Sequence, residues 1–131
     1  MSLGHIKSKA VEQSVINVTN INTTYFDMQT NKAYPGGELK GFEANTGKSV
    51  YYTFTVNYRN STYSETIENI SATTSGFSVV KVVPALPSII QPNSAQTFNL
   101  AIDLPNTSYA GPLNLLILYK VNYVTNSSKG Q

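Results

Sequence analysis

The stretch "SVYYTFTVNY", residues 49–58, decides the fold class. Successive side chains of an extended chain point to opposite faces, so Val50, Tyr52, Phe54, Val56 and Tyr58 share one face while Tyr51, Thr53, Thr55 and Asn57 share the other. One face is bulky and apolar and the other mostly hydrogen-bonding, which is how a strand reads when it buries one side only. The same alternation returns in "TFNLAIDLP" (97–105), with Phe98, Leu100, Ile102 and Leu104 inward and Thr97, Asn99, Ala101 and Asp103 outward. It returns again in "LNLLILYKVNYV" (113–124), with Leu113, Leu115, Ile117, Tyr119, Val121 and Tyr123 on one face.

Working outward from these strands, "SVINVTNINTTYFDM" (14–28) predicts a first strand interrupted near Asn20–Thr24. "YPGGELKGFEANTGK" (34–48) reads as a loop, with Pro35-Gly36-Gly37 as its turn signal and Gly41 and Gly47 as further breaks. "RNSTYSE" turns the chain into "TIENISATT" (66–74), and "GFSVVKVV" (76–83) gives a further strand with apolar residues on both faces. "PALPSIIQPNSAQ" (84–96) is a proline-spaced connection and "NTSYAGP" (106–112) the last turn. Helical periodicity is absent beyond a turn or two before Ser14. About seven short strands in one chain of this length predict an all-β, immunoglobulin-like two-sheet sandwich, with a closed barrel as the alternative. The expected organisation is a tag or leader and truncated membrane-proximal segment over 1–13, one sandwich domain over 14–126 and a tail over 127–131. "MSLGHIK" reads as a start codon and cloning residues placed ahead of a shortened N-terminus.

Composition narrows the function classes. The 131 residues are 12% charged, with a formal charge of +2, nine tyrosines and no cysteine, against about a quarter charged in a typical domain. The positive charges form no cluster and Arg59 is the single arginine, so nucleic acid is not an expected partner. Without cysteine there are no disulfides, thiolate chemistry or zinc-thiolate sites. His5, the one histidine, lies in the leader, which removes a Ser-His-Asp triad and an imidazole base. Glu65 and Glu68, three apart on a strand, are expected on opposite faces. Asp27, Glu38 and Glu43 surround the glycine-rich stretch without the spacing of a calcium loop. All five read as solvated carboxylates. No enzyme, cofactor or metal site is expected, although a carboxylate pair for glycoside hydrolysis can be assembled from distant residues.

Two features point to a binding role outside the cell. Six Asn-X-Ser/Thr triplets begin at Asn17, Asn22, Asn60, Asn69, Asn106 and Asn126, where chance pairing of 14 asparagines with 28 serines and threonines gives about three. Those at Asn60 and Asn106 sit in expected turns, where a glycan is tolerated. Having only seven Asp and Glu also leaves little stability at stake when carboxylates protonate, which suits an acidic exterior. The second feature is an apolar excess. Leu116 and Leu118 occupy the nominally polar face of the last strand, Val80 and Val82 that of "FSVVKVV", and Leu86, Ile89 and Ile90 a stiff loop. Together they are expected to form one exposed patch that a second copy covers, unless the chain folds over them itself.

The run "PSIIQPNSAQTFNLAIDLPNTSYAGPLNLLILY" (87–119), with its proline-led turn, alternating strand, Y-x-G-x-L turn and closing apolar strand, resembles the final strands of archaeal surface sandwiches. With the size, the sequons and the charge-poor, Tyr/Asn/Thr-rich composition, the chain from about His5 onward resembles the soluble domain of the FlaF family of archaellum accessory (stator) proteins of Sulfolobales. The resemblance implies an N-terminal membrane helix and an immunoglobulin-like sandwich on the extracellular face of the cell envelope, in the pseudo-periplasm. It further implies a homodimer that binds the S-layer protein, works with other archaellum components and anchors the motility machinery. The family has no short motif to carry over residue by residue, and no membrane helix is present here. Two other classes fit the same residues: a pilin- or archaellin-like filament subunit, and a carbohydrate-binding module using Tyr51, Tyr63 and Tyr109 as sugar platforms.

Overall fold

The computed structural model describes residues 14–124, so His5, the 1–13 leader, the Asn126 sequon and the tail lie outside the described residues. Eight strands follow in order: β1 (Val15–Asp27), β2 (Lys32–Asn45), β3 (Ser49–Asn57), β4 (Glu65–Ala72), β5 (Ser78–Val83), β6 (Ser88–Ile90), β7 (Ala95–Asp103) and β8 (Tyr109–Val121). They form an all-β sandwich of a five-stranded sheet, β2-β1-β8-β4-β6, and a three-stranded sheet, β3-β7-β5. The β1–β8 pair is parallel and every other pair antiparallel. No helix among the described residues is long and apolar enough to cross a membrane.

The inward faces are those the alternation assigns. Phe98, Leu100 and Ile102 of β7 and Leu113 and Ile117 of β8 have no exposed surface. Phe54 is paired with Phe98 across β3–β7, their rings 6.0 Å apart. The other face of β3–β7 is a polar ladder, with Thr53 on Asn99 at 2.6 Å and Thr55 on Thr97 at 2.9 Å. Hydrogen-bonded pairs of this kind hold register on a solvent face without needing cover.

The stretch from Tyr34 to Lys48, expected to be a loop, is mostly strand: β2 runs beside β1 as the edge of the larger sheet. Its Pro35 faces Thr24 at an edge position, where a missing N–H costs no inner ladder bond. The two glycines are a bulge and not a turn, since the register shifts between Asn22 and Thr24 and Gly37 takes φ 94°. At Gly41 a β-carbon would stand 1.8 Å from the Val18 carbonyl oxygen, so the hairpin's close approach admits only glycine. The true turn is Met28–Asn31, closed by Asn31 N–H donating to the Asp27 carbonyl at 2.9 Å. β1 is continuous, and its expected interruption takes the form of register shifts at Val18/Ile21 and Asn22/Thr24.

Candidate functional site

Bulges also decide where the expected patch residues go. A shift between Val79 and Lys81 places Val79 opposite Ile102 and Val82 opposite Leu100, both turned to the core. Val82 is therefore not on an outer face, contrary to the alternation, because the extra residue reverses the parity of β5. Leu86 packs against the core and Ile90 is buried within it, which corrects their expected exposure in the connection. Val80, 56% exposed at the bulge, belongs to the smaller sheet and cannot adjoin Leu116 or Leu118. The seven residues do not make one surface.

A smaller patch remains. Leu116 and Leu118 point outward from β8 and are half-buried by their neighbours. Phe26 of β1 is the register partner of Leu118, and Thr24 that of Leu116. Phe26, Leu116 and Leu118 thus meet at the centre of the outer face of the five-stranded sheet. Sequence reading missed Phe26 because Tyr25 beside it is as bulky, and only one of the pair faces the core. The rim is polar: Asn22 donates to Asn114 at 3.2 Å, and Lys120 pairs with Glu68 at 3.3 Å. Ile89, 59% exposed on β6, shares this face but is separated from the leucines by Thr66 and Asn69 of β4. Over β2, β1, β8 and β4, strand spacings of about 4.8 Å and rises of about 3.3 Å give a face of roughly 600 Å².

The sequons bear on the same face. Asn69 is exposed and directly opposite Leu118, and Asn22 lies beside the patch. Asn17 borders a groove of about 390 Å³ lined by Val15, Ile16, Glu43, Ala44 and Asn45. Asn60 and Asn106 occupy the turns after β3 and β7 as expected, and the Asn60 side-chain oxygen accepts from the Thr62 and Tyr63 amides. Of the three sugar platforms, Tyr51 is 82% exposed. Tyr63 instead packs edge-on against Tyr123, and Tyr109 packs on Phe77 while donating to the Pro112 carbonyl.

At one end of the sandwich the carboxylates depart from expectation. Asp27 and Glu65 are not solvated but 8% and 5% exposed. They close the inward faces of β1 and β4, with Tyr119 and Val121 of β8 between them as their register partners. Burial, then the Asp27 charge, pushes Glu65 up to about 7, and burial followed by Glu65 pushes Tyr25 up to about 12. Tyr119 rises to about 12, again chiefly by burial, with the two carboxylates next. Glu68, by contrast, reaches the outer face to meet Lys120, so the two glutamates do diverge. Among the described residues no group of three or more metal-ligating side chains occurs. No protein-family model matches this chain, and no curated protein matches it.

Proposed function

We propose that the chain is a non-catalytic binding domain of the archaeal cell envelope, which pairs with a second copy through the outer face of its five-stranded sheet and binds the S-layer protein. In this reading it anchors the stator of the motility machinery, held to the membrane by an N-terminal helix in the full-length protein. The observation that carries the pairing is the Phe26–Leu116–Leu118 cluster on the outer sheet face, rimmed by Asn22, Asn114, Asn69 and the Lys120–Glu68 pair. A two-fold axis through β8 sets each leucine pair against its copy, so one patch serves as its own complement. About 600 Å² from each copy is near the lower bound of specific interfaces, which fits a dimer that exchanges with monomer. The envelope role rests on the resemblance set out above and on the sequons.

Light scattering over a dilution series tests the pairing, followed by retention of the domain on purified S-layer protein. A mass approaching twice 14.3 kDa at high concentration and S-layer binding support the proposal. A strict monomer at every concentration overturns the dimer, and failure to bind S-layer protein overturns the tether.

A further inference from the structure

Glu65 has an unusual set of neighbours. Its cross-strand partners are Val121 of β8 on one side and Ile90 of β6 on the other, 8% and 2% exposed. The titratable groups facing it are Asp27 and Tyr25 from β1 and Tyr58 just after β3, whose phenol its charge perturbs, with Tyr123 after β8 adjoining Tyr58 in turn. Tyr119 of β8 completes the set and is itself approached by Tyr34 of β2. Every one of these is acidic or neutral, and the cation nearest in register, Lys32 of β2 opposite Asp27, is exposed and makes no ion pair with either acid. The one ion pair among the described residues, Lys120–Glu68, belongs to the outer face. Among the described residues no hydrogen bond reaches the Glu65 carboxyl, whereas an Asp27 oxygen accepts from the Gln29 amide at 2.9 Å. A buried carboxylate with a second acid across the neighbouring strand and no cation paired to it is costly to ionise.

The strand that Glu65 begins also holds the weakest piece of the sheet. β6 has three residues and pairs through Glu65, Thr66 and Ile67 alone. On the opposite side, the end is laced more firmly. The Gln29 side chain both donates to and accepts from the Val121 backbone, at 2.9 and 3.0 Å, and Asn122 bonds Ser64 and Thr66.

We propose that Asp27 and Glu65 form a proton-dependent lock, in which a proton on Glu65 keeps this end of the sandwich closed and its loss admits water and frees β6. The direction follows from the chemistry. Ionised Glu65 repels Asp27 and demands hydration, and water reaches it most readily by displacing Ile90, its partner on the short edge strand. The lock is closed in acid and loosened above neutrality, a property independent of how the outer face is used.

Native-state hydrogen exchange between pH 4 and 8 tests it, expressed as protection factors so that the intrinsic pH dependence is removed. Protection of the Ser88–Ile90 amides should fall by up to about 300-fold on raising the pH, the factor set by the rise of Glu65 from 4.5 to about 7. The β3–β7 amides should change far less. Glu65→Gln keeps the shape of the protonated acid and should hold β6 protection flat, and Asp27→Asn should move the transition to lower pH. Equal wild-type protection at both extremes, or the same fall in Glu65→Gln, overturns the proposal. So does full recovery at pH 8 on adding millimolar calcium, which would make the pair a cation site.

Discussion

Replacing Glu65 with glutamine should stabilise the domain at pH 8 and do little at pH 4, a reversal that ordinary loss-of-contact reasoning does not produce. In the folded domain the Glu65 carboxyl holds its proton up to about pH 7, against an ordinary 4.5 in the unfolded chain. Below pH 4.5 both states are protonated and the group is neutral to stability. Between 4.5 and 7 the folded state binds more protons, so stability falls with rising pH by up to about 1.4 kcal/mol per unit. Above 7 both states are ionised and the loss is complete, at about 3 kcal/mol in all. Glutamine carries no such loss, so the variant's advantage grows across that window and then levels. With a urea m-value of about 1–3 kcal/mol/M, the wild-type midpoint should drop by at least about 1 M between pH 4 and 8, relative to the variant. Parallel midpoints for the two proteins at every pH would refute the reasoning, because they would show that Glu65 ionises in place without cost.

Leu118→Lys should leave monomer stability within about 0.5 kcal/mol, since the side chain points out from the sheet, yet weaken self-association at least about 100-fold by setting two ammonium groups in the interface; urea denaturation reads the first and sedimentation equilibrium the second. Gly41→Ala should cost at least about 2 kcal/mol in chemical denaturation, because its β-carbon would lie 1.8 Å from the Val18 oxygen and the hairpin must separate. In material from a glycosylating host, a glycan on Asn69 should block self-association and Asn69→Gln should restore it, as seen by light scattering, since Asn69 is the register partner of Leu118.

The sandwich was legible wherever a strand keeps strict alternation. Phe54, Phe98, Leu100, Ile102, Leu113 and Ile117 announce their faces because no bulge interrupts them, and the core forms from them. In β4 and β5 the strand faces were misread for one cause, a single extra residue. At Val80 it reverses the parity of β5, so Val82 turns inward; between Ile67 and Asn69 it lets Ile67 and Ile70 both face the core. In β2 the Gly36–Gly37 bulge and the glycine at the Val18 contact mimic turn punctuation, because turns and close approaches ask for the same residue. The burial of Asp27 and Glu65 was hidden for a different reason. Each lies at the end of its strand, and only the strand order β1-β8-β4, set by contacts far apart in sequence, brings them to either side of Tyr119 and Val121.

β8 ties these features together. Its odd-numbered residues from Leu113 to Ile117 are the floor of the core, its outward Leu116 and Leu118 carry the proposed interface, and its Tyr119 and Val121 separate the two buried acids. Because a strand's two faces are independent, the outer patch can change without disturbing the core, and the acid pair can titrate without altering the patch. The coupling left open is through β4, whose Asn69 borders Leu118 while its Glu65 lies across β8 from Asp27. The bulge between those two residues breaks the rigid ladder that would transmit a shift from one to the other. A domain built this way can keep its outer face constant while one end responds to acidity, a division of labour that follows from β8 lying at the centre of the five-stranded sheet.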